Sequence, residues 1–242
     1  MNISEFGIVG ELVAQDYRAA TVFKAFGIDF CCNGHRSIQE ACEKGAVETA
    51  VVLDALAAAL QAQAGEVIDY NAWPVDLLAD YIEKKHHRYV RASTQEIRSY
   101  LEKIVKVHGA QHPELIKIEQ LFSESAEAMA AHMKKEEFIL FPFIRKMVAA
   151  GALGQKVEAP MFGQLQNPIA QMEHEHDDEG ARFRRISELT NNYTPPQDAC
   201  NTYQVAFALL KAFENDLHLH IHLENNILFP KVIKMEAALF ST

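Results

Sequence analysis

Residues 132–142 read HMKKEEFILFP and residues 220–230 read HIHLENNILFP. Each copy carries a histidine, a glutamate four residues later, and then Ile-Leu-Phe-Pro, with the two starts 88 positions apart. One histidine precedes each copy at a similar distance, His87 before the first and His176 before the second, 89 positions apart. Self-similarity at a fixed period marks related structural halves. What repeats here is a set of metal-ligand types. On a helix, residues i and i+4 project from one face about one turn apart. His132 with Glu136 and His220 with Glu224 therefore form two histidine–carboxylate pairs, each able to reach one side of a metal site. One histidine from each remaining helix completes four imidazoles and two carboxylates. Six N/O ligands exceed what a closed tetrahedral zinc site uses. They suit two octahedral or near-octahedral ions bridged by the carboxylates, and that mix favours iron or manganese. A zinc protease is a poor fit, because neither copy reads HExxH.

Long helices must position these residues. Four are expected: Val75 to about Val107, ended by Gly109; about Pro113 to Ala149, stopped by Gly151; about Phe162 to Leu189; and a fourth to about Ala238. The fourth is expected to open at Thr194-Pro195-Pro196-Gln197, which combines a capping box with proline in the first turn. Short connections argue for an up-down four-helix bundle over residues 74–238, all-α in class. No alternating β-branched run with hairpin turns is found. Ahead of it, residues 1–66 read as a small helical domain: a helix over 8–26 ended near Gly27, a short SIQEACEK helix opened by a Ser37–Glu40 capping box, and an alanine-rich helix from Val47 to Ala64 stopped at Gly65. The segment GEVIDYNAWP reads as the linker.

The inward faces select among the histidines. In the second long helix, Ile118, Leu121, Ser125, Ala128, His132, Ile139 and Phe143 recur at three- and four-residue steps. In the fourth, Ala206, Leu210, Phe213, Leu217, His220, Glu224 and Leu228 do the same. Ile169, Met172, His176, Phe183 and Ile186 share a face in the third, which selects His176 over His174. In the first, the stripe Ile82, Tyr89, Ser93 and Ile97 fits His86 slightly better than His87. His35, His108, His112, His174, His218 and His222 read as solvated or supporting residues, and Glu173 and Glu175 as a solvated acidic turn that can also orient His176.

Composition narrows the partners. The chain has 242 residues, 49% hydrophobic and 23% charged, as in an ordinary globular protein. A net charge of −10 argues against nucleic acid and anionic membrane surfaces. No apolar run is long enough to span a bilayer, the start lacks a basic secretory n-region, and the four cysteines are not spaced as a disulfide framework. A reducing cytoplasm is the expected setting. Cys42 and Cys200 read as ordinary small residues. The vicinal Cys31-Cys32 pair, in DFCCNGH, reads either as two thiols packing a tight turn or as a redox-active, metal- or nitrosyl-binding pair. Its place ahead of a helix N-terminus is one where the dipole can lower a thiol pKa.

Residues 75–236 resemble the hemerythrin-like di-iron domains. The whole chain resembles the iron–sulfur cluster repair di-iron proteins, the repair-of-iron-centres family, which join a short Cys-Cys domain to such a bundle. The matching text is DFCCNGH, KKHHRYVR, HMKKEEFILFP, MEHEHDDEG and HIHLENNILFP, with TNNYTPP before the fourth helix. The resemblance implies two iron ions, non-haem and carboxylate-bridged with room for an oxo bridge, held by His87, His132, Glu136, His176, His220 and Glu224. His87 rather than His86 is the family's choice. Oxygen-carrying hemerythrins differ in using an HxxxH pair in the third helix, where this chain has Gly180 four residues after His176. The implied role is repair of clusters damaged by nitrosative or oxidative stress, by handling nitric oxide with reductase-like turnover or by donating iron. Implied partners are damaged iron–sulfur proteins, nitric oxide or oxygen, and an electron donor, with a homodimer among the allowed assemblies. Cys31 and Cys32 are the expected redox thiols. The alternatives are an oxygen or nitric oxide sensor or iron store without turnover, and a purely structural bundle.

Overall fold

The computed structural model describes residues 3–61, 68–158, 160 and 162–240. Among them there is no strand, only a single antiparallel bridge between Ile8 and Ser37. Eight helices follow one another among these residues. Four are short: α1 (Val9–Gln15), α2 (Arg18–Ala25), α3 (Ile38–Gly45) and α4 (Thr49–Gln61). Four are long: α5 (75–108), α6 (114–153), α7 (Gln166–Leu189) and α8 (201–240). No helix among the described residues is long and apolar enough to cross a membrane.

The chain forms two compact units. One comprises Met1–Leu78 with Ile221–Thr242, the other Ala79–His220.

In the first unit the expected helix over 8–26 is two helices, because Asp16 breaks it. Its backbone is extended (φ −150°, ψ 106°), and its carboxylate accepts from the Arg18 amide at 3.0 Å while pairing with the Arg18 guanidinium at 2.6 Å. An aspartate that bonds local backbone in this way competes with helix continuation. Helix α2 ends as expected at Gly27 (φ +69°), with Ile28 N–H donating to Phe23 O at 2.8 Å and Gly27 N–H to Lys24 O at 3.1 Å. Those two bonds define a Schellman cap, which favours glycine. The Ser37–Glu40 capping box forms, with bonds of 3.2 and 2.9 Å. The expected helix end at Ala64 and Gly65, and the start of the linker, lie outside the described residues. Val9, Val13, Ala19, Phe23, Ile38, Cys42, Val52 and Leu56 are buried. The C-terminal part of α8 packs with these helices: Asn226 Nδ2 donates to Phe30 O at 3.1 Å, and Lys231 Nζ to Trp73 O at 3.1 Å.

The second unit is the bundle, made of helical segments from α5, α6, α7 and α8. Phe213 lies at its centre, stacked on Phe183 at 5.5 Å and edge-on to Phe122 at 5.3 Å. Helix α6 runs past Gly151 and ends at Gly154 (φ +61°). The fourth helix starts at Asn201, not at Thr194, since its first helical bond runs from Gln204 N–H to Cys200 O at 3.1 Å. Pro195 and Pro196 offer no amide hydrogen and keep the residues before them out of helical space. Of the expected inward faces, Ala128 and Ile139 are exposed, with Met129 and Leu140 buried instead.

Gly34 sits in close approach to backbone and side chain alike. A Cβ there would lie 2.5 Å from the Phe30 carbonyl oxygen and 2.6 Å from Asn226 Oδ1. Backbone cannot yield cheaply, so Gly34→Ala should destabilise by about 1–3 kcal/mol. A urea denaturation midpoint equal to that of the parent chain would contradict this packing.

Candidate metal centre

Three long helices depart from α geometry, each next to expected ligands. The π-helical turns are Ile82–His87 in α5, Glu136–Leu140 in α6 and Glu224–Leu228 in α8. A π turn inserts one residue and rotates all later side chains of its helix by about 100° relative to an α-helix. This is why Ile139 is 49% exposed and Leu140 takes the inward position. It is also why His86 and His87, adjacent in sequence, are both fully buried.

Within the bundle unit the expected ligands converge. Glu136 Oε2 lies 3.3 Å from His87 Nε2 and 3.3 Å from His132 Nε2. His176 Nε2 lies 3.1 Å from His132 Nε2. Ligand atoms of His87, Glu136 and His220 fall within 4.8 Å of one another. All five side chains are at most 2% exposed. Glu224, likewise fully buried, begins the π turn one residue beyond Leu223, a single turn after His220 on the same helix.

A second ring of carboxylates orients the imidazoles. His87 Nδ1 lies 2.7 Å from Glu137 Oε1, and Arg91 grips the same carboxylate at 2.5 and 2.7 Å. His132 Nδ1 lies 2.9 Å from Glu175 Oε2, and Lys135 and Gln171 hold the other oxygen of Glu175. The hydrogen bond from His132, with support from Lys135 and Gln171, brings the Glu175 carboxyl down to about 2. A carboxylate on Nδ1 leaves Nε2 to face inward, the arrangement found around metal-ligating histidines. Glu175 thus orients His132, not His176. Glu137 was not singled out by sequence reasoning; the Glu136-Glu137 doublet was its only signal. His86 is anchored at Nδ1 to Asp216 at 3.0 Å and stacks on His220 with ring centroids 5.6 Å apart. Burial pushes its pKa down.

The donor set fits a metal. Carboxylates and imidazoles buried together are costly unless something positive is shared among them. Nitrogen and oxygen donors at this number suit iron or manganese better than zinc. A cavity of about 180 Å³ opens beside His132, lined also by Ala128, Met129, Glu175 and Arg182. It has room for a diatomic molecule, not for a large substrate.

The thiol loop lies in the first unit. Cys31 and Cys32 are not joined in a disulfide, and their sulfurs lie 3.7 Å apart. Asp29 Oδ1 accepts from the Cys32 amide at 3.0 Å and lies 3.4 Å from Cys31 Sγ. The sulfurs and a carboxylate oxygen of Asp29 fall within 4.8 Å of one another. Asn225 Nδ2 donates to Cys31 O at 3.2 Å, so this loop is pinned to the residue after Glu224. The expected lowering of a thiol pKa does not occur at Cys31. Its hydrogen bond with Cys32, burial and the charge of Asp29 push it well up. His222, read as a solvated or supporting residue, is buried between Tyr17 and Phe30, and burial brings it down to about 3.

A helical bundle with buried imidazoles and carboxylates, its histidines braced by outer acids, is a hemerythrin-type cation-binding bundle. Residues 78–232 match the hemerythrin HHE cation binding domain, and residues 7–60 match a domain of unknown function (DUF542). The chain is 36% identical to the iron–sulfur cluster repair protein YtfE of Musicola paradisiaca, over 95% of this chain and 97% of that protein. It is 31% identical to the iron–sulfur cluster repair protein ScdA of Staphylococcus haemolyticus, over 95% of this chain and 99% of that one. The repair protein YtfE of Pectobacterium atrosepticum is 34% identical, over 94% and 97%. The chain belongs to this family of iron–sulfur cluster repair proteins with a hemerythrin HHE domain.

Two outcomes are expected. Glu175→Gln keeps the side-chain shape but removes the charge facing His132, so metal should dissociate to a chelator about 10–100-fold faster. An unchanged release rate would remove Glu175 from the support of the site. In a Cys32→Ser background, Cys31 should alkylate far more slowly than an exposed cysteine at neutral pH and speed up only in alkali, followed by mass spectrometry across pH. Rapid alkylation at pH 7 would show that Cys31 is already a thiolate.

Proposed function

We propose that the bundle holds two iron ions through His87, His132, Glu136, His176, His220 and Glu224, and that the protein repairs iron–sulfur clusters damaged by nitric oxide or oxidants. The observation that carries this reading is the Glu136 carboxylate oxygen, 3.3 Å from both His87 and His132 in a fully buried setting. One oxygen close to two imidazoles supports a bridging role for Glu136. The repeated His-x3-Glu text assigns the matching position to Glu224. When bound, a non-haem di-iron pair supplies open positions for diatomic ligands and cycles between ferrous and ferric states.

The chain's own residues set the conditions for that chemistry. Glu137 and Glu175 keep the protons of His87 and His132 at Nδ1, so each Nε2 presents a lone pair inward. The small cavity beside His132 has room for a gas molecule. Residues 1–66 and 74–238 act as separate domains in this proposal, with the whole ligand set in the second and Cys31 and Cys32 as redox thiols in the first. The targets are damaged iron–sulfur proteins, as the names of the relatives state for them. The cytoplasm is the proposed compartment.

The test uses an iron–sulfur enzyme inactivated by nitric oxide and the repair protein loaded with iron-57. The parent chain should bind two irons and restore client activity. Mössbauer spectra of the separated proteins then show whether the iron stays in the bundle or moves. Glu136→Ala and Glu224→Ala should each lose metal and repair while staying largely helical, because the apolar faces drive folding. Full iron occupancy in either variant would overturn its bridging role, and repair without metal would overturn the function.

A further inference from the structure

We propose a second cation site, of zinc type, at the opposite end of the bundle, built from His108, His112, Asp198 and Cys200. It uses none of the residues assigned to the di-iron centre. His87 and His108 stand on one helix 21 positions apart, which is about 30 Å of axial rise.

Two segments distant in sequence bring these side chains together. His108 closes α5, and the turn after it continues for one more bond, His112 N–H to His108 O at 2.8 Å. The two imidazoles therefore stand one turn apart, with ring centroids separated by 6.3 Å. Asp198 and Cys200 come from the last residues before α8. Each histidine meets one of them. His108 Nε2 lies 3.2 Å from Cys200 Sγ, and His112 Nε2 lies 3.0 Å from Asp198 Oδ2. Tetrahedral zinc bonds of about 2.0–2.3 Å place neighbouring ligand atoms about 3.3–3.7 Å apart. Both contacts are already close to that spacing. Asp198 and Cys200 are exposed, so side-chain rotation can close the two pairs on one ion.

The surroundings are those of a ligand set. Glu114 Oε1 lies 3.2 Å from His112 Nδ1, which fixes that ring with Nε2 outward to the site. The Tyr203 ring packs against both imidazoles, at 5.4 and 5.7 Å, and walls one side. His108 and the amides of Tyr203 and Thr202 lower the Cys200 pKa, and His112 lowers that of Asp198. Both anionic ligands are thus favoured in the form a divalent cation binds. Two nitrogens, one thiolate and one carboxylate match the borderline preference of zinc, and two negative ligands neutralise its charge. The bound ion ties the α5–α6 connection to the start of α8.

The test uses the full chain with iron already in the bundle, titrated with cobalt(II) as a spectroscopic stand-in for zinc. One further equivalent should bind, with a thiolate-to-cobalt absorption band that zinc abolishes, and it should raise the thermal midpoint. Cys200→Ser, which keeps an oxygen at the start of α8, should lose the band. His108→Ala and His112→Ala should each weaken binding at least tenfold, with helicity and iron content unchanged. In a Cys31→Ser, Cys32→Ser background the band should persist. A band that disappears in that background and survives Cys200→Ser, or no further equivalent bound, would overturn the site and leave two separate ion pairs.

Discussion

A fully buried carboxylate is the constraint on which the bundle depends. Glu136 has no exposure to water, and the groups 3.3 Å from its Oε2 are imidazole nitrogens, not lysine or arginine. A carboxylate in such a place is costly without a compensating positive charge. The outer acids sharpen the point. Glu137 and Glu175 add negative charge around the same histidines, and they are balanced from outside by Arg91 and Lys135. Negative charge thus lies inside and positive charge at the rim. A cation in the middle completes the alternation, and the apolar layer around Phe122, Phe183 and Phe213 supplies the rigid frame that keeps it in place.

The all-α class and the convergence of the candidate ligand residues were legible because they rest on periodicity. His176 and the whole inward face of α8 from Ala206 to Leu228 are buried where three- and four-residue steps put them. Periodicity failed where the helix stops being an α-helix. The stripe in α5 picked His86, which is buried, but passed over His87, buried beside it, and the stripe in α6 chose Ile139, because nothing local in Ile82–His87 or Glu136–Leu140 announces an inserted residue. The pairing of α8 with the N-terminal helices was equally hidden. It rests on Asn226 approaching the backbone of Gly10 and Gly34, a fit between residues 216 and 192 positions apart.

Charge patterns misled in a related way. Glu175 looked like part of a solvated acidic turn, yet it is the partner of His132. His222 looked solvated or supporting, and it is buried against Tyr17 and Phe30. Cys200 looked like an ordinary small residue, yet it faces His108 at the head of α8. In each case the partner comes from another helix or from a segment remote in sequence, and single-chain patterns carry no record of it.

The π turns also constrain how such a protein can change over time. Each is a helix with one surplus residue, and the candidate ligands sit at its boundary. Removing that residue would restore ordinary winding while swinging every later side chain of the helix by about 100°. The bundle would keep its backbone shape and lose its donors in a single deletion. Length in these three short stretches is therefore close to untouchable. Descent should preserve their residue count more strictly than their residue identity.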